Sequence, residues 1–82
     1  MIKELLTRDD YYDAIIGGEG VIVVVDKVRG RTAHPVTCPT LDVSHFVEKV
    51  IVNQRKNGQY YWAASSVEAR HELNADPCHC GW

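Results

Sequence analysis

The run Gly20-Val21-Ile22-Val23-Val24-Val25 decides how this chain folds. Five consecutive β-branched residues after a glycine favour a strand, because such side chains pack well on a pleated surface and the run is too short for a free-standing helix. The run is also too apolar for an edge strand that exposes both faces to water. We therefore predict a central strand over residues 21–28, with a turn at Gly30.

The segment before this strand carries the signals of a short helix. Thr7 is a capping residue, and the acidic pair Asp9-Asp10 suits the positive end of a helix dipole. Apolar side chains then recur at helical spacing, and the pair Gly17-Gly18 ends the segment. We predict a helix over residues 7–16.

The stretch from residue 41 to residue 54 fits a helical stripe and a β-branched strand equally well. The pair Asn57-Gly58, followed by the aromatic triplet Tyr60-Tyr61-Trp62, is the strongest short-range signal for a type I′ hairpin, and it favours the strand. We predict a short helical turn near residues 41–46, a strand near 48–56 and its hairpin partner near 59–64.

The last predicted helix covers residues 65–73. Ser65 and Glu68 form a capping-box pattern, and Asn74 can end the helix in a left-handed conformation. Taken together, these elements predict an α+β fold with a small three-stranded antiparallel sheet and two to three short helices.

Length and charge limit the functions open to the chain. Its 82 residues, 45% hydrophobic and 24% charged, describe one domain over residues 1–82. The formal charge of −2 argues against indiscriminate affinity for phosphate backbones. The sequence contains no apolar stretch of the ~20 residues that a bilayer span needs, and its N-terminus does not resemble a secretion signal. We therefore expect a cytoplasmic protein with no membrane association.

All three cysteines lie close to histidines, in His34-Pro-Val-Thr-Cys38 and in Pro77-Cys78-His79-Cys80. Zn²⁺ prefers four thiolate or imidazole ligands in a tetrahedron, and two pairs from separate segments supply them without strain. Pro35 and Pro39 should keep the first pair in an irregular loop. We predict a structural Zn²⁺ that joins this central loop to the C-terminal tail; its ligands are His34, Cys38, Cys78 and Cys80, with His79 as an alternative.

Two other interpretations of these residues stay open. They could form a redox-active or metal-sensing thiol cluster, or they could be incidental and bind no metal. A closed set of four ligands leaves no vacant position for water, so hydrolytic zinc chemistry is the less favoured use.

The arrangement of these motifs resembles the Ada N-terminal metal-binding domain family over residues 34–80. The resemblance implies a zinc-organised domain of bacterial or phage type that contacts DNA, and by position it makes Cys38 the nearest candidate for a methyl-accepting thiol. His34 stands where that family has cysteine, and the terminal cysteines have a one-residue spacer instead of two, so alkyl transfer at Cys38 is only a third alternative. The residues that carry the resemblance are His34, Cys38, Tyr60, Tyr61, Ala69, Pro77, Cys78 and Cys80.

We therefore expect a non-enzymatic, zinc-stabilised binding protein that contacts DNA or RNA through a basic and aromatic hairpin. Aromatic rings can stack on bases while cations hold phosphates, although such rings on a strand also serve as core residues. The alternative is a protein-interaction module, such as an inhibitor or accessory subunit. The candidate nucleic-acid contacts are Arg29, Arg31, Arg55, Lys56, Tyr60 and Trp62.

Overall fold

The computed structural model describes residues 2–27, 30–38, 41–56 and 58–77. Within them the fold is α+β, with a five-stranded mixed sheet and three helices. Helix α2 begins as an α-helix and continues without a break as a π-helical segment, and both parts are called α2 below. The elements are β1 (Lys3–Glu4), α1 (Arg8–Gly17), β2 (Val21–Asp26), β3 (Gly30–Pro35), α2 (Val43–Phe46 and Val47–Val52), β4 (Gly58–Ala63), α3 (Ser66–Leu73) and β5 (Asp76–Pro77).

The sheet has the strand order β1-β4-β2-β3-β5. Strand β2 lies at its centre, as the apolar run predicted, and Ile22 pairs with His34 on one side and Trp62 on the other. All pairs are antiparallel except β3 with β5, which is parallel. The predicted α+β class is confirmed, while the sheet has five strands instead of three.

Helices cover the sheet on both faces, which is why the side chains of β2 are apolar in both directions. Helices α1 and α2 pack on one face around an aromatic cluster, whose buried members are Leu5, Tyr11, Ile22, Val36, Phe46, Val50 and Tyr60. Helix α3 packs on the opposite face around small side chains, with Val21, Val23, Ala33, Ala63, Ala69 and Ala75 buried.

The ends of α1 and α3 match the prediction from the sequence. Thr7 caps α1 in a reciprocal capping box with Asp10, and Ser65 caps α3 by accepting a hydrogen bond from the Glu68 amide. Asn74 ends α3 in the left-handed conformation, with φ 53°. Polar caps at these positions satisfy amides that the first helical turn leaves unpaired.

The predicted strand near residues 48–56 is wrong, because this segment forms α2 and the turn after it. Phe46 and Val50, one helical turn apart, are both buried against the aromatic cluster, and that burial outweighs the β propensity of the residues around them. The hairpin with residues 59–64 is also wrong, since β4 pairs with β1 and β2. Asn57 lies outside the described residues.

The hairpin of the sheet is instead formed by β2 and β3. His34 and Pro35 therefore belong to a strand, and the irregular backbone expected from residue 34 begins only after Pro35. Proline is tolerated there because it ends the strand. None of the described helices has the length and apolar character needed to cross a bilayer.

Candidate metal site and adjoining cleft

The structure brings His34 and Cys38 together. His34 shares the α1/α2 face of the sheet with Ile22, its partner in the register, and Cys38 follows the turn at the end of β3. The Cys38 amide donates to the Pro35 carbonyl oxygen at 2.8 Å, which closes this turn. As a result, Sγ of Cys38 lies 3.8 Å from Nδ1 of His34.

Both side chains lie in a partly dry environment that suits metal ligation. Cys38 is only 5% exposed, and His34 is half-buried. Burial lowers the pKa of the His34 imidazole, because desolvation penalises its charged form. A neutral imidazole is the form that binds a transition metal.

Cys38 forms a disulfide bond in this structure. A sulfur atom in a disulfide is not a thiolate, so it cannot act as a zinc ligand at the same time. The other predicted ligands, Cys78, His79 and Cys80, lie outside the described residues. Among the residues that are described, no cluster of three or more His, Cys, Asp or Glu side chains is placed to hold a metal.

Strand β5 brings the C-terminal segment alongside β3. Asp76 pairs with Thr32 and Pro77 pairs with Ala33, in parallel register. Ala33 directly precedes His34, so the described chain ends beside the strand that carries the first predicted ligand. The side chain of Asp76 also contacts α3, where Nη1 of Arg70 lies 3.3 Å from its Oδ1.

A cleft of about 330 Å³ opens between the sheet and α2, and His34 belongs to its wall. Lys49 of α2 forms an ion pair with Asp26 at the end of β2 within this cleft. Burial raises the pKa of the Tyr60 hydroxyl to about 12, so that hydroxyl stays protonated at neutral pH. The lining residues are Val24, Asp26, Gly30, Thr32, His34, Leu41, Asp42, His45, Lys49 and Tyr60.

The cleft residues of α2 and its cap were not predicted from the sequence. His45 and Lys49 are four residues apart, which places them on one side of a helix, but that spacing has no meaning if residues 48–56 form a strand. Asp42 is the N-cap of α2 and accepts a hydrogen bond from the Ser44 amide at 2.9 Å. A helix predicted over residues 43–52 would have placed His45 and Lys49 on one side and so identified them as neighbours in a candidate site.

The predicted nucleic-acid contacts divide between core and surface. Tyr60 is 4% exposed and belongs to the aromatic cluster, while Trp62 is half-buried and its Nε1 donates to the Glu19 carbonyl oxygen at 3.0 Å. A role in the core, the alternative that the sequence left open for such rings, describes Tyr60. Arg29 lies outside the described residues.

The two described arginines of that set lie on the α3 side of the sheet, since Arg55 contacts Glu4, the register partner of Tyr61 on that side. Arg31 pairs with Val25 in the register, donates from Nη1 to the Leu73 carbonyl oxygen at 3.1 Å and so lies on the α3 side. Nη1 of Arg55 lies 3.4 Å from Oε2 of Glu4, and the Lys56 side chain is exposed. Since Tyr60 and Trp62 face α1 and α2, these rings and the two arginines lie on opposite sides of the sheet and do not form one continuous surface.

A second surface feature lies between α1 and α2. Tyr12, Ile16 and Val52 are 44%, 81% and 67% exposed, although they are large apolar side chains. Next to them is a groove of about 430 Å³ lined by Arg8, Tyr12, Val43, Ser44, Val47, Glu48 and Val52. We call this region the α1/α2 apolar surface.

No protein-family model, no curated protein and no solved structure matches this chain. The resemblance to the Ada metal-binding domain family therefore stays a prediction from the sequence.

Proposed function

We propose that this chain is a non-enzymatic binding protein stabilised by a structural Zn²⁺, with His34, Cys38, Cys78 and Cys80 as ligands and His79 as the alternative to one of the terminal cysteines. The observation that supports it most directly is the 3.8 Å distance between Sγ of Cys38 and Nδ1 of His34. Ligands of one tetrahedral zinc ion lie at about this separation, because each is bonded to the metal at about 2.0–2.3 Å.

Covalent geometry supports the contribution of the tail. Pro77 pairs with Ala33 and is followed directly by Cys78. Consecutive Cα atoms are about 3.8 Å apart, so Cys80 is within roughly 10 to 11 Å of Pro77 even in a fully extended chain. Both terminal cysteines are therefore within reach of the end of β3.

A structural role fits the size of the chain. A domain of 82 residues has a small margin of stability, and an ion that joins β3 to the C-terminal segment adds to it wherever the metal binds only the folded state. Four protein ligands also fill the tetrahedron, which leaves no open position for a reacting water.

For the partner, we favour a protein over a nucleic acid. The α1/α2 apolar surface exposes Tyr12, Ile16 and Val52, the kind of side chains that partners bury. Four described cations, by contrast, form ion pairs: Lys3, Lys49, Arg55 and Arg70. Contact with DNA or RNA remains a proposal that the same set of variants tests.

The zinc proposal is tested by native mass spectrometry of the reduced protein, with and without a chelator. We expect one Zn²⁺ per chain, a large loss of affinity in Cys38→Ser and Cys80→Ser, and a fall in Tm when the metal is removed. His71→Ala is the matched control, because it removes an exposed imidazole on α3 and should leave zinc binding unchanged. Failure of the reduced wild-type protein to bind zinc would overturn the proposal.

The partner proposal is tested with two surface variants. Val52→Asp places a charge on the α1/α2 apolar surface and should abolish capture of a protein partner, while Lys56→Ala should leave it unchanged. Labelled single-stranded and duplex oligonucleotides are measured in parallel at low and moderate salt. Salt-dependent binding that is lost in the Arg55→Ala/Lys56→Ala double variant, and kept in Val52→Asp, would identify nucleic acid as the partner instead.

A further inference from the structure

We propose that the site at Cys38 alternates between two exclusive states, a reduced form that holds Zn²⁺ and an oxidised, zinc-free form with a disulfide at Cys38. Oxidation of the thiols would then release the metal. The zinc-bound half rests on the proposed function, whereas the disulfide is present in this structure.

Both states use the same sulfur atom. Cys38 lies beside the imidazole of His34, as a metal ligand should, and it is also disulfide-bonded. The chain has three cysteines, so an intrachain disulfide at Cys38 takes either Cys78 or Cys80 as its partner. Zinc needs these sulfurs as thiolates and the disulfide removes that form, which makes the two states mutually exclusive.

The position of Cys38 is fixed by its backbone. Its amide donates to the Pro35 carbonyl oxygen at 2.8 Å, and its own carbonyl oxygen accepts from the Leu41 amide at 3.1 Å. The turn that carries Cys38 is thus held by main-chain hydrogen bonds, independently of what its sulfur binds. The exchange therefore needs no rearrangement of β3, because only the partner of the sulfur changes.

The chemistry is ordinary thiol–disulfide exchange with a low-molecular-weight disulfide such as oxidised glutathione. One cysteine thiolate attacks a sulfur of the reagent and expels the first glutathione thiolate, which forms a mixed disulfide. A second cysteine thiolate then attacks the protein sulfur of this mixed disulfide, closes the protein disulfide and expels the second glutathione thiolate. Two protein thiolates lose two electrons, the reagent gains them and takes up protons from water, and Zn²⁺ passes to the solvent.

The odd number of cysteines gives this exchange a characteristic result. After oxidation, one of the three cysteines is left as a thiol, since a single disulfide uses two. In the reducing cytoplasm that the sequence leads us to expect, thiols are kept reduced, so the zinc-bound state should dominate until an oxidant appears.

The experiment starts from reduced, zinc-loaded full-length protein and adds oxidised glutathione in the presence of a chromogenic zinc chelator too weak to strip the reduced protein. We expect release of the zinc together with a fall from three to one reactive thiol per denatured chain. Trypsin then places Cys38 in the peptide 32–49 and both terminal cysteines in the peptide 71–82. The two peptides should be joined by a disulfide in the oxidised sample and separate in the reduced one.

Variants separate the outcomes. Cys38→Ser should lose the joined peptides, and His71→Ala should behave as the wild type. If the reduced wild-type protein binds no zinc, the proposed function fails and the exchange fails with it. If zinc binds but stays bound while oxidised glutathione is present, or if it leaves without joining 32–49 to 71–82, the exchange alone is overturned and the structural zinc stands.

Discussion

Lys49 of α2 forms an ion pair with Asp26 at the end of the central strand, and this contact holds α2 on the sheet. Both side chains are partly buried, with exposures of 26% and 19%. Solvent and salt screen partly buried charges less than exposed ones. The interaction between Lys49 and Asp26 should therefore be stronger than that of an ion pair on the surface.

The ion pair should therefore show measurable coupling in a double-mutant cycle. For Asp26→Asn and Lys49→Met, singly and together, we expect a coupling of about 1 kcal/mol in the free energy of unfolding, measured by urea titration. The matched control is the pair Arg70 and Asp76, whose side chains are 66% and 81% exposed and should couple by less than about 0.5 kcal/mol. Equal coupling in the two pairs would contradict this account of α2.

Val50 and Val52 distinguish the observed helix from the strand that the sequence predicted. Val50 is 5% exposed and Val52 is 67% exposed, whereas a strand would turn both side chains to the same face. Val50→Ala should lower the free energy of unfolding by about 2 kcal/mol, and Val52→Ala should change it by less than about 0.5 kcal/mol. Similar losses at the two positions would mean that they share one face and that α2 is wrong.

Gly20 cannot carry a side chain without disturbing β4. Its φ is +86°, and an added Cβ would lie 2.8 Å from Nε1 of Trp62 and closer still to the carbonyl oxygen of Ala63. We expect Gly20→Ala to cost about 2 kcal/mol or more, from backbone strain and overpacking together.

Gly17→Ala is the control for that substitution. Nothing lies within 4 Å of its added Cβ, and Gly17 is the last residue of α1. Alanine there should be neutral or stabilising by up to about 1 kcal/mol, as judged by thermal and urea unfolding. If both variants lost the same stability, the close approach of the chain at Gly20 would not be the cause.

Asp10 makes the stability of α1 depend on pH. Hydrogen bonds from the Leu6 and Thr7 amides and the nearby Lys3 ammonium hold the pKa of its carboxyl below the ordinary value of 3.8. Because the pKa is lower in the folded state, the stabilising effect is fully present above about pH 4 and is lost as the pH falls through the lowered pKa.

Asp10→Asn should therefore lower Tm at neutral pH and flatten the decline of Tm in acid. Asp9→Asn removes a carboxylate from the same helical turn but leaves the capping box intact, so its acid profile should follow the wild type more closely. The check is a series of thermal unfolding curves from neutral pH down to about pH 2. An unchanged acid profile in Asp10→Asn would contradict the role given to this carboxylate.

Local signals in the sequence were sufficient to predict the secondary structure of segments whose conformation is determined by their own residues. The apolar run of β2, the capping residue Thr7 with its acidic pair, and the capping-box pattern of Ser65 and Glu68 predicted one strand and two helices correctly. The prediction for residues 47–52 was wrong. Their β-branched side chains favour a strand locally, but a helix lets Phe46 and Val50 bury more apolar surface in the core.

Strands whose residues do not alternate between apolar and polar were also not predicted. In β3 only Ala33 is buried, among polar neighbours and a proline, so nothing in residues 30–35 alternates. Strands β1 and β5 have two residues each, too few to show a period of two. For the candidate site, the spacing in sequence predicted correctly that His34 and Cys38 would lie together. The cleft residues of α2 could not be predicted, because their proximity requires a helix where the sequence favoured a strand.

The two faces of the sheet should respond to sequence change in opposite ways. On the α3 side, most of the buried side chains are alanines, namely Ala33, Ala63, Ala69 and Ala75, which lets helix and sheet approach closely, so enlargement would push the layers apart. On the other side, rings such as Phe46 and Tyr11, with centroids 4.8 Å apart, fill a thicker layer in which truncation leaves a hole. Enlargement should therefore be the poorly tolerated change on the α3 side, and truncation the poorly tolerated change on the aromatic side.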